Sequence, residues 1–288
     1  MSHVLEMILL LLLPLLQDVA AIRGAAEKAL PLLQKSAVSF STKAACFSCH
    51  HHTLPILSLN AAKAQGLPVE ALDKLTKSAL EGLDPAPKAG RSESCSGSDA
   101  RPAWGLWTLE LLGQGPGSAS NDLGRRLATR LEQTTLPIPE SALALRAIST
   151  FRIAANHPSV IEWTRKELDS LSLPRSKNSP EKAARILALF QVGRLTRDIA
   201  EDLVREQRGD GGWSPTPLDG SEPGATAYVL ASLHAAGALK PDGSWYTRSS
   251  AQPRHPDLDT GFPYNRDAVA SLASTCWALI ALANGLDP

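Results

Sequence analysis

Methionine is almost missing: Met1 and Met7 are the only two in the 288-residue chain, and both lie at its very start. Neither sign of charge is in excess, since 29 Lys and Arg balance 29 Asp and Glu with no long run of either. That balance excludes an electrostatic grip on nucleic acid or on anionic lipid. Phe and Tyr are few, at five and three, and runs of β-branched residues are scarce, which argues against a sheet protein. No apolar stretch is long enough to span a bilayer; the longest, Met7 to Leu16, has ten residues. What is abundant is Ala and Leu, with six Trp, and 43% of the chain is hydrophobic. These features predict a helical globular protein with a substantial core.

The run from Met7 to Leu16 reads as a signal-peptide core, with Val19-Ala20-Ala21 placing cleavage before Ile22. Residues Ser2 to Glu6 contain no Lys or Arg, a departure from the usual signal. A buried N-terminal helix and an uncleaved anchor that keeps membrane contact are the other readings. Cleavage removes Glu6, Asp18 and both methionines and leaves the chain at +2. The expected location is periplasmic or secreted, where Cys46, Cys49, Cys95 and Cys276 are free to form disulfides.

Beyond residue 21 the chain divides into apolar stretches of helical length that stop on Gly or Pro. Residues 22–83 hold helices over Ile22 to Phe40, Leu54 to Gln65 and Val69 to Leu83, the last starting behind Pro68. Residues 84–102 are rich in Pro, Gly and Ser and read as a linker or long loop. Residues 103–288 hold helices over about Ala103 to Leu112, Asn121 to Gln133, Pro139 to Ala155, Pro158 to Ser172, Pro180 to Gln191 and Thr196 to Gln207. Pro223 to Ala236 and Arg266 to Asn284 complete the set. The helix from Thr196 carries Ile199, Leu203 and Val204 on one stripe, whereas the last two helices are apolar almost all round. Half-wet helices alternating with apolar ones predict two concentric layers.

The string Gln207-Arg208-Gly209-Asp210-Gly211-Gly212-Trp213 sits at a joint between helices. A glutamine there ties off helix-end carbonyls, glycines permit the turn, and an indole covers it. A second copy, Asp242-Gly243-Ser244-Trp245, has Leu239 where the glutamine would stand. Gln207, Gly211, Trp213, Gly243 and Trp245 read as structural staples. From about Thr196 to Ala283 the chain resembles the squalene cyclase-like family of terpenoid cyclases and protein prenyltransferases. The segments Trp245 to Ser249, Gly261 to Tyr264 and Thr275 to Leu279 resemble a bacterial group in which an upstream Cys-x-x-Cys-His motif accompanies the repeats. The resemblance implies an all-α fold, a single-barrel α/α-toroid of inner and outer helices over 103–288 with a helical N-terminal extension.

Cyclases of this family start their reaction with a neutral acid in an Asp-x-Asp-Asp motif. Here only Asp257-Leu258-Asp259-Thr260 approaches it, without the final carboxylate, so Asp257 and Asp259 are candidate acids in an incomplete motif. The zinc-binding Asp-x-Cys of prenyltransferases is missing from the matching region, and Cys276 sits in an apolar helix as a small buried residue.

Cys46-Phe47-Ser48-Cys49-His50 has the form of a c-type haem attachment motif. Each thiol forms a thioether to a vinyl group, and His50 ligates the iron. Three other readings stand beside it: a disulfide between Cys46 and Cys49, a transition-metal site using the thiolates with His50, His51 or His52, and reduced cysteines with solvent-facing histidines. A chain without methionine offers His157, His234 or His255 as a sixth ligand, or leaves the iron five-coordinate. The expected function is an exported haem protein acting in electron transfer, redox sensing or ligand binding, with a redox or protein partner or an apolar ligand. A divergent terpenoid or prenyl-chain enzyme and a structural interaction module are the alternatives.

Overall fold

The computed structural model describes residues 2–44, 47–84, 101–153, 157–171, 178–194, 197–210, 212–216, 218–235 and 268–284. Among them every regular element is helical, as composition predicts. In chain order these are α1 (Ser2–Lys43), a π-helical turn (Cys49–Thr53), α2 (Leu54–Ala64), α3 (Leu72–Leu83), α4 (Arg101–Leu111) and α5 (Ser118–Gln133). Then follow α6 (Ile138–Phe151), α7 (Pro158–Leu171), α8 (Ser179–Gln191), α9 (Arg197–Arg205), α10 (Pro223–Ala235) and α11 (Ala268–Asn284).

The helix ends follow local chemistry. Helices α2, α4 and α8 each close on a glycine with positive φ: Gly66 at 70°, Gly113 at 66° and Gly193 at 67°. In each, the residue after the glycine returns its N–H to a carbonyl five residues back, from Leu67 to Ala62, Gln114 to Leu109 and Arg194 to Leu189. Helix α6 makes the same reversal without glycine, on Arg152 at φ 52°. Helix α3 starts at Leu72 and not at Val69, because the Gln34 side chain of α1 accepts the N–H groups of Glu70 (2.7 Å) and Ala71 (2.8 Å) and caps the helix there. Helix α1 runs unbroken through Val19-Ala20-Ala21.

Four apolar clusters hold these helices. The first joins Ala26, Leu30, Leu33 and Ala37 of α1, at helical spacing, to Ile56, Leu59 and Ala62 of α2, Leu75 and Ala79 of α3, and Leu272, Cys276 and Leu279 of α11. The second gathers Phe47 and Leu83 with apolar residues of α4, α5, α6 and Val160 of α7. The fourth fills the space between α6, α7 and α8 around Leu145, Leu168 and Leu189. The Cys-bearing π turn packs on α1, α2, α3, α4 and α11, so it is in direct contact with both ends of the chain. Helix α2 packs on α11, α11 on α10, α10 on α8, α8 on α6, and α6 on α4, which meets the π turn and α2. Helices α1, α3, α5, α7 and α9 pack against members of that succession.

The third cluster contains the helix joint foreseen around Trp213. This indole is fully buried between Ala183 and Ile186 of α8, Ala200 and Leu203 of α9, and Val229 and Leu233 of α10. Its Nε1–H donates to the Leu203 carbonyl at 2.7 Å, and its backbone N–H donates to Thr226 Oγ1 at 2.9 Å. The indole therefore satisfies a carbonyl in the last turn of α9 and ties it to the first turn of α10. Gln207, expected to supply that link, is exposed. Val204, expected beside Leu203 on the buried stripe, is 39% exposed. Gly211, Gly243 and Trp245 lie outside the described residues, so the second joint is not placed. Replacing Trp213 by Phe leaves the Leu203 carbonyl with only the Glu206 N–H at 3.2 Å and opens a cavity where the larger indole stood, and should lower unfolding free energy by roughly 2–3 kcal/mol. Urea denaturation checks this, and an unchanged midpoint contradicts it.

Candidate functional site

Between α1 and α2 the chain presents Phe47, Ser48 and the π turn Cys49–Thr53. Cys46 lies outside the described residues. Ser48 is extended, with φ −137° and ψ 133°, and the turn begins after it. The wider π turn displaces successive side chains around the axis and so separates the fates of three consecutive histidines.

His52 points into the protein and is fully buried. Its Nδ1 accepts the backbone N–H of Ser48 at 3.1 Å, so the ring proton resides on Nε2. Nε2 lies 3.1 Å from Ser78 Oγ of α3 and 3.4 Å from Ser41 Oγ of α1. Ser41 uses its own proton on the Ala37 carbonyl at 3.0 Å and so offers His52 a lone pair. A serine–histidine nucleophile requires the opposite tautomer, with Nε2 free to accept, and this network is therefore structural. Phe47 stacks on the His52 ring at 5.7 Å, and Phe40 meets it edge-on at 5.7 Å. Burial holds the His52 pKa down at about 4, and the imidazole is neutral at ordinary pH.

His51 is also buried, stacked face to face on Phe40 with centroids 4.1 Å apart and planes 7° apart. Its Nδ1 lies 3.4 Å from Ser48 Oγ. Thr53 closes the turn: Thr108 Oγ1 donates to the Trp104 carbonyl at 2.9 Å and accepts from Thr53 Oγ1 at 2.6 Å, joining the turn to α4. On the other side, α3 comes so close that a Cβ on Gly82 would lie 2.9 Å from the Phe47 backbone nitrogen. A glycine inside a helix costs about 1 kcal/mol relative to alanine, and here it admits the Cys-bearing strand.

Cys49 and His50 take the opposite course. Both are half-buried, and Cys49 Sγ lies 3.2 Å from His50 Nδ1. Thiol and imidazole thus stand side by side at the partly accessible edge of the turn. Of the three histidines His50 is half-buried, whereas His51 and His52 are buried. Among the described residues no three of His, Cys, Asp and Glu converge to hold a metal ion. A metal cage built wholly from protein ligands therefore has no counterpart among them, whereas a porphyrin brings four nitrogens of its own and asks the chain for one imidazole and its thiols. Cys49 and His50 fit that requirement. The expectation that the histidines face solvent is corrected for His51 and His52, whose rings are in the core.

His157 precedes α7, which packs on α5, α6 and α8. His234 belongs to α10, its side chain outside what is described, and His255 lies outside the described residues. Asp257 and Asp259 also lie outside them. Cys276 is buried in α11, where burial pushes its thiol up to about 12 despite a hydrogen bond with Ser58 of α2. Its burial agrees with the expectation drawn from its apolar helix. Three further titratable groups are shifted by burial, among them Glu167 of α7, whose pKa burial raises. Burial raises the pKa of Glu140 in the first turn of α6, and burial together with the Glu140 charge raises that of Tyr228 on α10. Nothing in their local sequence marks them, because their environment comes from helices distant in the chain.

The chain matches no protein-family model and no curated protein.

The His52 shift carries a signed pH dependence. Above 6.5 the ring is neutral in both folded and unfolded chains and the contribution to stability is complete. As pH falls from 6.5 to about 4 the unfolded chain takes up a proton that the folded one refuses. Roughly 3 kcal/mol is lost across that window. His52→Gln, which cannot titrate, should be less stable at pH 7.5 yet show a flatter decline towards pH 4.5 in urea unfolding. A decline as steep as that of the parent chain would contradict the assignment.

Proposed function

We propose that this chain is an exported c-type haem protein, with Cys46 and Cys49 as attachment points and His50 as the iron ligand. The observation that carries this reading is the sorting of the histidines: His51 and His52 are committed to the core, and His50 stands beside the Cys49 thiol at an accessible edge. When bound, a haem supplies a one-electron couple, which suits electron transfer or redox sensing. The chain's own contribution is rigidity. The Ser48 N–H to His52 bond, the Thr53–Thr108 pair and the contact of Gly82 with Phe47 hold the turn on three sides, so Cys49 and His50 keep their relative position.

We further infer that the succession α2, α11, α10, α8, α6, α4 closes an α/α-toroid, with α1, α3, α5, α7 and α9 outside it. The pairwise packing and the Trp213 joint support this arrangement, as does the resemblance to squalene cyclase-like proteins. In this arrangement the π turn and α2 belong to the ring itself, whereas the sequence placed them in an extension ahead of it. Export is supported by the apolar run at residues 7–16 and by the packing of α1: Ile22, Ala26, Leu30, Leu33 and Ala37 meet the first cluster, so this packed part survives loss of residues 1–21.

Expressed with a c-type maturation system, the full chain should show a Soret band that survives denaturation and acid-acetone extraction. Cys46→Ser with Cys49→Ser should abolish it, and His50→Ala should keep the covalent pigment with an altered spectrum. A parent protein that yields no extraction-resistant band overturns the haem reading. N-terminal sequencing of exported protein should begin at Ile22; a chain still starting at residue 1 or 2 would show that the segment is retained.

A further inference from the structure

The loop that joins α9 to α10 contains two of the three Asp-Gly pairs in the sequence, Asp210-Gly211 and Asp219-Gly220; Asp242-Gly243 lies outside the described residues. In such a pair the glycine nitrogen, unshielded by a side chain, can attack the aspartate Cγ, because both belong to one short stretch of chain and closure gives a five-membered ring. Both aspartates of this loop are exposed, so solvent access does not separate them. Their hydrogen bonds do.

Asp210 is held back from that reaction. The Ser221 hydroxyl donates to its Oδ1 at 2.7 Å and the Gly212 N–H at 3.0 Å, and these bonds keep its carboxyl below the usual carboxylate range. An ionised carboxylate resists a nucleophile, and any turn of it towards the next residue breaks both bonds. The surroundings are also tight, since a Cβ on Gly212 would lie 2.6 Å from the Cβ of Ser221.

Asp219 has a different setting. Thr216 Oγ1 donates to its Oδ2 at 2.6 Å, and a donor there stabilises the negative charge that develops on the oxygen as Cγ becomes tetrahedral. Arg208 Nη1 donates to the Asp219 carbonyl, and Ser214 Oγ lies 3.2 Å from the same oxygen. That carbonyl belongs to the peptide whose nitrogen is Gly220, so a guanidinium on it draws electrons from the amide and eases loss of its proton. A Cβ on Gly220 would meet no atom within 4 Å, which leaves room for the ring, and the neighbouring Leu218 is 96% exposed.

We infer that Asp219-Gly220 is a site of backbone self-modification, at which the chain rearranges to isoaspartate. The Gly220 nitrogen gives up its proton and bonds to Asp219 Cγ, and the side-chain hydroxyl leaves with that proton as water, giving a cyclic imide. Water then opens the ring at the Asp219 backbone carbonyl and breaks its bond to the Gly220 nitrogen, so the chain now runs through the former side chain. The water released in the first step is regained in the second, and no oxidant, reductant or cofactor takes part. The site is independent of haem at Cys46, Cys49 and His50 and of the ring arrangement.

Trypsin cuts after Arg208 and Arg248 and spares Lys240 ahead of Pro241, so one peptide carries both aspartates. After prolonged incubation of the folded full chain at mildly acidic pH, electron-transfer fragmentation of that peptide reports isoaspartate at each. It should accumulate several-fold faster at Asp219 than at Asp210, a comparison that needs no variant to fold. In urea, where both pairs lose their hydrogen bonds, the two rates should converge. Thr216→Val should slow the Asp219 reaction in the folded chain and leave it unchanged in urea, whereas Gly220→Ala should slow it in both. Equal rates at the two aspartates in the folded chain, an Asp219 that stays unchanged, or a folded Thr216→Val chain that reacts like the parent overturns the inference.

Discussion

Burial of Leu272, Cys276 and Leu279 of α11 against Ile56, Leu59 and Leu33 joins the two ends of the chain, and the rest of the architecture depends on this junction. Each fully buried leucine contributes about 1.5–3 kcal/mol, so the contact is worth enough to offset the entropy of bringing together segments some 200 residues apart. The seam is almost wholly apolar, and its one thiol, Cys276, is held protonated by burial beside Ser58. The helices between the two ends can then pack each on the next.

The junction also decides where the cysteine motif sits. Helix α2 is locked by α11, and the π turn that precedes it has nowhere to go but against α1, α3 and α4. In that position the aromatic rings of Phe40 and Phe47 take up His51 and His52, and the serines of α1 and α3 satisfy the imidazole nitrogen that faces them. Cys49 and His50 are left at the edge. Packing thereby buries His51 and His52 and leaves Cys49 and His50 half-buried.

Local rules carried much of the fold. Helices α2, α4, α5, α7, α8 and α10 lie within a few residues of the bounds expected from apolar period, Gly stops and Pro starts. They are legible because each signal acts within a turn or two of the residue that carries it. The start of α3 is not legible in its own sequence because its cap is a side chain from α1, and Val204 is exposed because the neighbours of α9 cover the face that carries Ala200 and Leu203. The Trp213 indole reaches the Leu203 carbonyl only once α9 and α10 are packed.

By itself the sequence determined an all-helical chain, the joint marked by Trp213, the apolar character of α10 and α11, and the presence of a Cys-x-x-Cys-His string. Those are properties of composition and short spacing. Tertiary structure alone decided that His51 and His52 lie in the core while His50 is half-buried, and that the π turn packs against both α1 and α11. Solvent exclusion and hydrogen-bond partners decide such matters, and for His52 they come from Ser48 nearby and from Ser41 of α1 and Ser78 of α3.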